Sequence, residues 1–88
     1  MLAESLKKEL KENLLKDIPW LQERAIDQIK NYGNFSIICD KHINRVSTFS
    51  IPQKYESVIE EWAKENGFKT YNTYNSYGVK SLNIKLPY

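Results

Sequence analysis

Leu82, Ile84 and Leu86 alternate with Asn83 and Lys85, just after a helical apolar stripe that stops at Gly67 and a turn-rich Asn75–Gly78 run. The apolar period falls from about 3.6 residues to 2 within one short stretch, which predicts a helix followed by a half-buried hairpin. A helix with one apolar stripe and a sheet with one apolar face bury each other, so the stretch constrains the architecture strongly. Ser50, Ile51, Pro52 and Gln53 match a capping box at the start of that helix. The Ser hydroxyl would accept from the Gln53 N–H while the Gln side chain returns to the Ser50 N–H. Tyr55, Val58, Ile59, Trp62 and Ala63 form its apolar face, with Glu56, Glu60, Glu61 and Glu65 outside it. Phe68 to Tyr74 and Val79 to Leu86 then read as the two strands of a hairpin, with Gly78 supplying a positive φ at the turn.

Upstream, Leu2, Leu6, Leu10 and Leu14 recur every four residues, and Leu15 widens the stripe of an amphipathic helix. Asp17 and Pro19 restart the chain, one as a cap and one as a residue whose missing N–H costs nothing in a first turn. A second helix follows to about Tyr32, with Leu21, Ala25, Ile29 and Tyr32 on one face and Gly33 ending it. Two helices joined this closely predict a helical hairpin over 1–33. Its leucine stripe is expected to dock on the sheet, because a helix of four turns is marginal alone in water. Phe35–Cys39 and Val46–Ile51 are rich in β-branched and aromatic residues around the loop-like Asp40–Asn44, and predict another hairpin.

The expected fold is therefore α+β: a single domain over 1–88, with the helical hairpin at 1–33 and a ββαββ unit at 34–88. Its four-stranded sheet should be mainly antiparallel. The core residues expected are Phe35, Ile37, Phe49, Ile51, Tyr55, Val58, Ile59, Trp62, Phe68, Leu82, Ile84 and Leu86. Eighty-eight residues bury about 60–65% of their extended surface. That holds one fold together but leaves little volume for a deep, water-excluding pocket, which argues against an enzyme.

Charge and codon usage narrow the setting. The net charge is only +2, but the stretch 68–88 carries Lys69, Lys80 and Lys85 and no acid. Lys outnumbers Arg eleven to two, and Ile, Asn and Tyr abound beside three Gly, as AT-rich codons encode. That composition suits a low-GC bacterium or one of its phages, and in texture the chain resembles the small proteins that phages encode. One cysteine excludes an internal disulfide, and no basic, apolar leader or membrane-length apolar run is present. A cytoplasmic location is expected.

The chemistry-bearing residues do not assemble into a motif. Cys39 and His42 have half of a zinc-like spacing, but a structural zinc needs four ligands and no second pair exists. Cys39 lies in phase with Phe35 and Ile37, so a small buried hydrophobe is expected there. The three glycines have capping or turn duties, and none belongs to a phosphate loop. No catalytic, cofactor-binding or metal-binding residue is assigned.

The binding surface expected is the last hairpin: Lys69, Tyr71, Tyr74, Asn75, Tyr77, Lys80 and Lys85. Tyrosine gives large contact area at low entropy cost, so a Tyr/Asn hairpin suits a protein partner. The leading expectation is a small non-enzymatic protein that binds a host or phage protein and modulates it, as a monomer or homodimer and without a membrane. The alternative is single-stranded nucleic acid on Lys69, Tyr71, Tyr74, Tyr77 and Lys85, with Thr73 and Asn83 on the same face, through phosphate neutralisation and base stacking. That reading holds only if the helices leave this face open. A structural assembly or virion component is the third.

Overall fold

A computed structural model describes all 88 residues, and its helices lie on one side of its sheet. The order is α1 (Leu2–Glu12), α2 (Leu14–Asp17), α3 (Leu21–Tyr32), β1 (Asn34–Asp40), β2 (Ser50–Pro52), a 3₁₀ turn (Gln53–Tyr55), α4 (Glu56–Glu65), β3 (Lys69–Tyr74) and β4 (Lys80–Lys85). The strands lie in the order β2-β1-β4-β3. β1 pairs antiparallel with β4, with Phe35 opposite Ile84 and Ile37 opposite Leu82. β4 pairs antiparallel with β3 from Lys69↔Lys85 to Tyr74↔Lys80. The α+β class and the last hairpin are as expected.

The first pair of strands differs: β1 and β2 run parallel, with Cys39 beside Ile51, so there is no hairpin at 35–51. The reason lies at Ser47. Its N–H donates to the Ser50 carbonyl (2.8 Å), and its Oγ accepts from the Ser50 N–H (3.1 Å), which folds the chain back on itself just before β2. Ser hydroxyls satisfy nearby backbone groups in turns as readily as at helix starts. Ser50 is used here, its hydroxyl 2.9 Å from that of Ser47, and the capping box does not form. Pro52 fits in β2 because an edge strand can lack an N–H.

One cluster of 15 buried residues joins helices and sheet. Leu14, Ile18, Leu21, Ala25 and Ile29 from the N-terminal third meet Phe35, Ile37, Cys39, Ile51, Leu82 and Ile84 from the sheet, and Tyr55, Val58, Ile59 and Ala63 from the segment between. Four expected core residues sit elsewhere. Phe49 is 70% exposed on the crossover loop and Leu86 lies past the end of β4. Trp62 and Phe68 form a half-buried pair, centroids 6.5 Å apart, at the rim.

The N-terminal helices do not form the expected hairpin. α1 stops at Asn13, whose side-chain amide donates to the Glu9 carbonyl. The break rotates the stripe, so Leu14 is buried while Leu2 and Leu6 are 78% and 54% exposed. α1 is held against α4 instead of the sheet: Lys7 pairs with Glu61 at 2.6 Å, and Lys11 pairs with Glu61 and Glu65. Asp17 caps no helix and accepts a hydrogen bond from the Tyr55 hydroxyl (3.2 Å).

Candidate protein-binding surface

Because side chains alternate across a strand, the residues between the core positions form a second sheet face. Ser36 on β1, Ser81, Asn83 and Lys85 on β4, and Lys69, Tyr71 and Thr73 on β3 share it by register. No helix covers this face. It carries a polar chain across three strands. The Tyr71 hydroxyl donates to Asn34 Oδ1 (2.9 Å), Asn34 Nδ2 donates to Asn83 Oδ1 (3.3 Å), and Asn83 Nδ2 donates to Thr73 Oγ1 (3.0 Å). Asn83 is 4% exposed, so these bonds offset the cost of burying its amide. Lys69 and Lys85 lie directly opposite each other on the same face, and neither has an ion-pair partner.

The seven residues expected to bind a partner thus divide into three groups. Lys69, Tyr71 and Lys85 belong to the open face. Tyr74 and Lys80 lie opposite each other on the other side of the strands, and Lys80 is engaged by Glu56 of α4. That hydrogen bond raises the Lys80 pKa above its ordinary value. Asn75 and Tyr77 are in the turn.

The turn is internally bonded. Asn75 Oδ1 accepts from the N–H groups of Tyr77 (2.8 Å) and Val79 (3.0 Å). The Asn75 N–H donates to the Val79 carbonyl, and the Gly78 N–H to the Asn75 carbonyl. Gly78 sits at φ 77°, a left-handed conformation that L side chains rarely adopt. The Asn75 side chain is therefore occupied in shaping the tip. Tyr74 and Tyr77, 66% and 89% exposed, are what the tip presents.

Elsewhere the chemistry disperses. Cys39 is fully buried, its thiol against the Pro52 carbonyl at 3.7 Å, and burial pushes its pKa up to about 12, so it is a neutral, small apolar residue. His42 is exposed on the crossover loop. No three His, Cys, Asp or Glu side chains converge as metal ligands do. The largest concavity, about 430 Å³ between Leu15, Pro19, Gln22, Glu23 and Ile26, contains one ionisable group, Glu23. No helix is long and apolar enough to cross a membrane.

Two features had no signal in the sequence. Asn34, which links Tyr71 to Asn83, is 49 residues from one and 37 from the other. The Arg24 guanidinium lies 5.7 Å from the Trp20 ring and 5.2 Å from the Phe49 ring, a stack assembled by the crossover loop. Comparison with protein-family models, curated proteins and solved structures finds no match to this chain.

Proposed function

We propose that this protein is a non-enzymatic binding module that docks on another protein, of a host cell or a phage, in the cytoplasm and modulates its activity. One observation carries the reading: a turn fixed by four hydrogen bonds holds Tyr74 and Tyr77 out in solvent. Two aromatics on an ordered loop lose little freedom on binding, which is the main cost that a docking surface must overcome. Tyr77 and Tyr74 are the anchors, and Asn75 is the positioning residue.

The test is affinity capture with an N-terminal tag, with and without nuclease, comparing the parent chain with Tyr74→Ala/Tyr77→Ala. A specific protein retained after nuclease and lost from the double variant supports docking. Retention only of nuclease-sensitive material overturns it.

A second reading, single-stranded nucleic acid, draws on the opposed Lys69 and Lys85 beside Tyr71 on the open face. It differs in its salt response. Displaced counterions make phosphate binding fall steeply with ionic strength. An apolar tyrosine contact does not share that slope.

A further inference from the structure

β3 is an outer strand of the sheet, and its free edge has a definite polarity of hydrogen-bonding groups. The Asn75 N–H donates across to the Val79 carbonyl. Backbone groups alternate sides along an antiparallel strand, so Thr73, Tyr71 and Lys69 turn theirs toward β4. Thr70, Asn72 and Tyr74 must turn theirs outward. The same alternation carried through β4 to β1 requires Ile38 to face β2, and its N–H does donate there, to the Phe49 carbonyl at 3.2 Å.

Three N–H and three C=O groups on β3 therefore have no protein partner. Exposed edges are usually blunted by proline, a bulge, charge or a covering element. β3 has no proline, its register with β4 is unbroken, and its one charge, Lys69, stands at its first position. Asn72 and Tyr74, on the side of the helices, are exposed, so the strand extends beyond the helical layer.

We infer that β3 pairs antiparallel with β3 of a second copy of this chain, about a two-fold axis through Asn72, to make one eight-stranded sheet. In an isologous contact the same strand meets itself, so the fit is tested by its own sequence. With Asn72 on the axis, Thr70 faces Tyr74 of the second copy and Asn72 faces Asn72. All three outward donors and all three acceptors are then used. Shifting the axis to Tyr71 places Tyr74 opposite Phe68, whose N–H already donates to the Ala63 carbonyl at 2.9 Å.

Side chains agree with the Asn72 register. Thr70 against Tyr74 and Tyr71 against Thr73 are pairs of β-branched and aromatic residues, which favour adjacent strands. Lys69 falls opposite Asn75, and no charge faces its like. Tyr77 lies past the strand and stays free, whereas Tyr74 is shared with the docking surface proposed above. An edge contact of this size belongs to the smallest interfaces, below about 1,200 Å² in total, so the dimer is weak.

Sedimentation equilibrium of the full chain from low micromolar to millimolar concentration tests it. The expected result is a reversible monomer–dimer equilibrium that is lost in Asn72→Lys, which opposes two charges across the axis. Asn72→Pro is the second blocking variant, because it removes an outward N–H and leaves the β4 ladder whole. Far-UV circular dichroism establishes that both variants fold. Under oxidation Asn72→Cys should form a disulfide dimer faster than Tyr71→Cys, because directly opposed residues of a hydrogen-bonded pair lie about 5.5 Å apart, within disulfide reach. A monomer at every concentration overturns the inference, as does a dimer indifferent to Asn72→Lys. Faster cross-linking at Tyr71→Cys overturns the register.

Discussion

β3 and β4 are the two strands of one hairpin, six residues each, and they do opposite work. β4 lies between β1 and β3, and its Leu82, Asn83 and Ile84 are all buried. β3 buries nothing: five of its six residues are exposed. The difference does not come from strand propensity, since Thr and Tyr suit a pleated surface as well as Leu and Ile do. It comes from position. A central strand has neighbours on both edges and the helices on one face, whereas an outer strand beyond the helical layer is left with water. Burial therefore concentrates on β4, and β3 is left open to solvent.

The largest effect should come from truncating β4. Leu82→Ala or Ile84→Ala removes a fully buried side chain and should cost about 2–5 kcal/mol in urea unfolding. Tyr74→Ala on β3 should stay within about 0.5 kcal/mol of the parent. Similar costs at the two sites would break the comparison.

Proline scanning of β3 sharpens it at the level of single N–H groups. Tyr71→Pro deletes a donor that faces β4 and strands a ladder acceptor, which should cost about 1–3 kcal/mol. Asn72→Pro, one residue on, should cost well under that in the monomer. Equal losses would show that the alternation was assigned wrongly.

Next comes Asn83, the buried member of the open-face chain. Asn83→Ala should destabilise by about 1 kcal/mol and loosen Tyr71 and Thr73 together, read by hydrogen exchange along β3.

The smallest effect among these substitutions is at Lys80, and it shows only at high pH. The Lys80 pKa is raised by its hydrogen bond to Glu56, so its stabilising contribution is whole below the ordinary lysine value and fades as pH rises through the folded value. Lys80→Met should flatten the alkaline limb of the stability curve. Cys39 adds to the same limb. Its buried thiol resists ionisation from the ordinary value of 9.0 up to about 12, so folding loses that advantage as pH climbs across this interval.

Local periodicity was enough to determine α4, the hairpin of β3 and β4, and eight of the twelve expected core residues, because each is specified by neighbours in the chain. Gly78 and the Asn75 run likewise specified the turn that displays Tyr74 and Tyr77. What local pattern could not reach was how the pieces pair. Phe35–Cys39 and Val46–Ile51 have strand character, but whether they run parallel or antiparallel was decided by the Ser47–Ser50 turn and by β4 occupying the other edge of β1. The leucine repeat at the start of α1 was equally plain in sequence, yet Leu14 entered the core and Leu2 and Leu6 did not. The open face, the Asn34–Asn83 link and the unpaired edge of β3 exist only once the sheet is assembled. A side chain's exposure and a backbone group's partner are properties of the neighbouring element, and in this sheet that neighbour is remote in sequence.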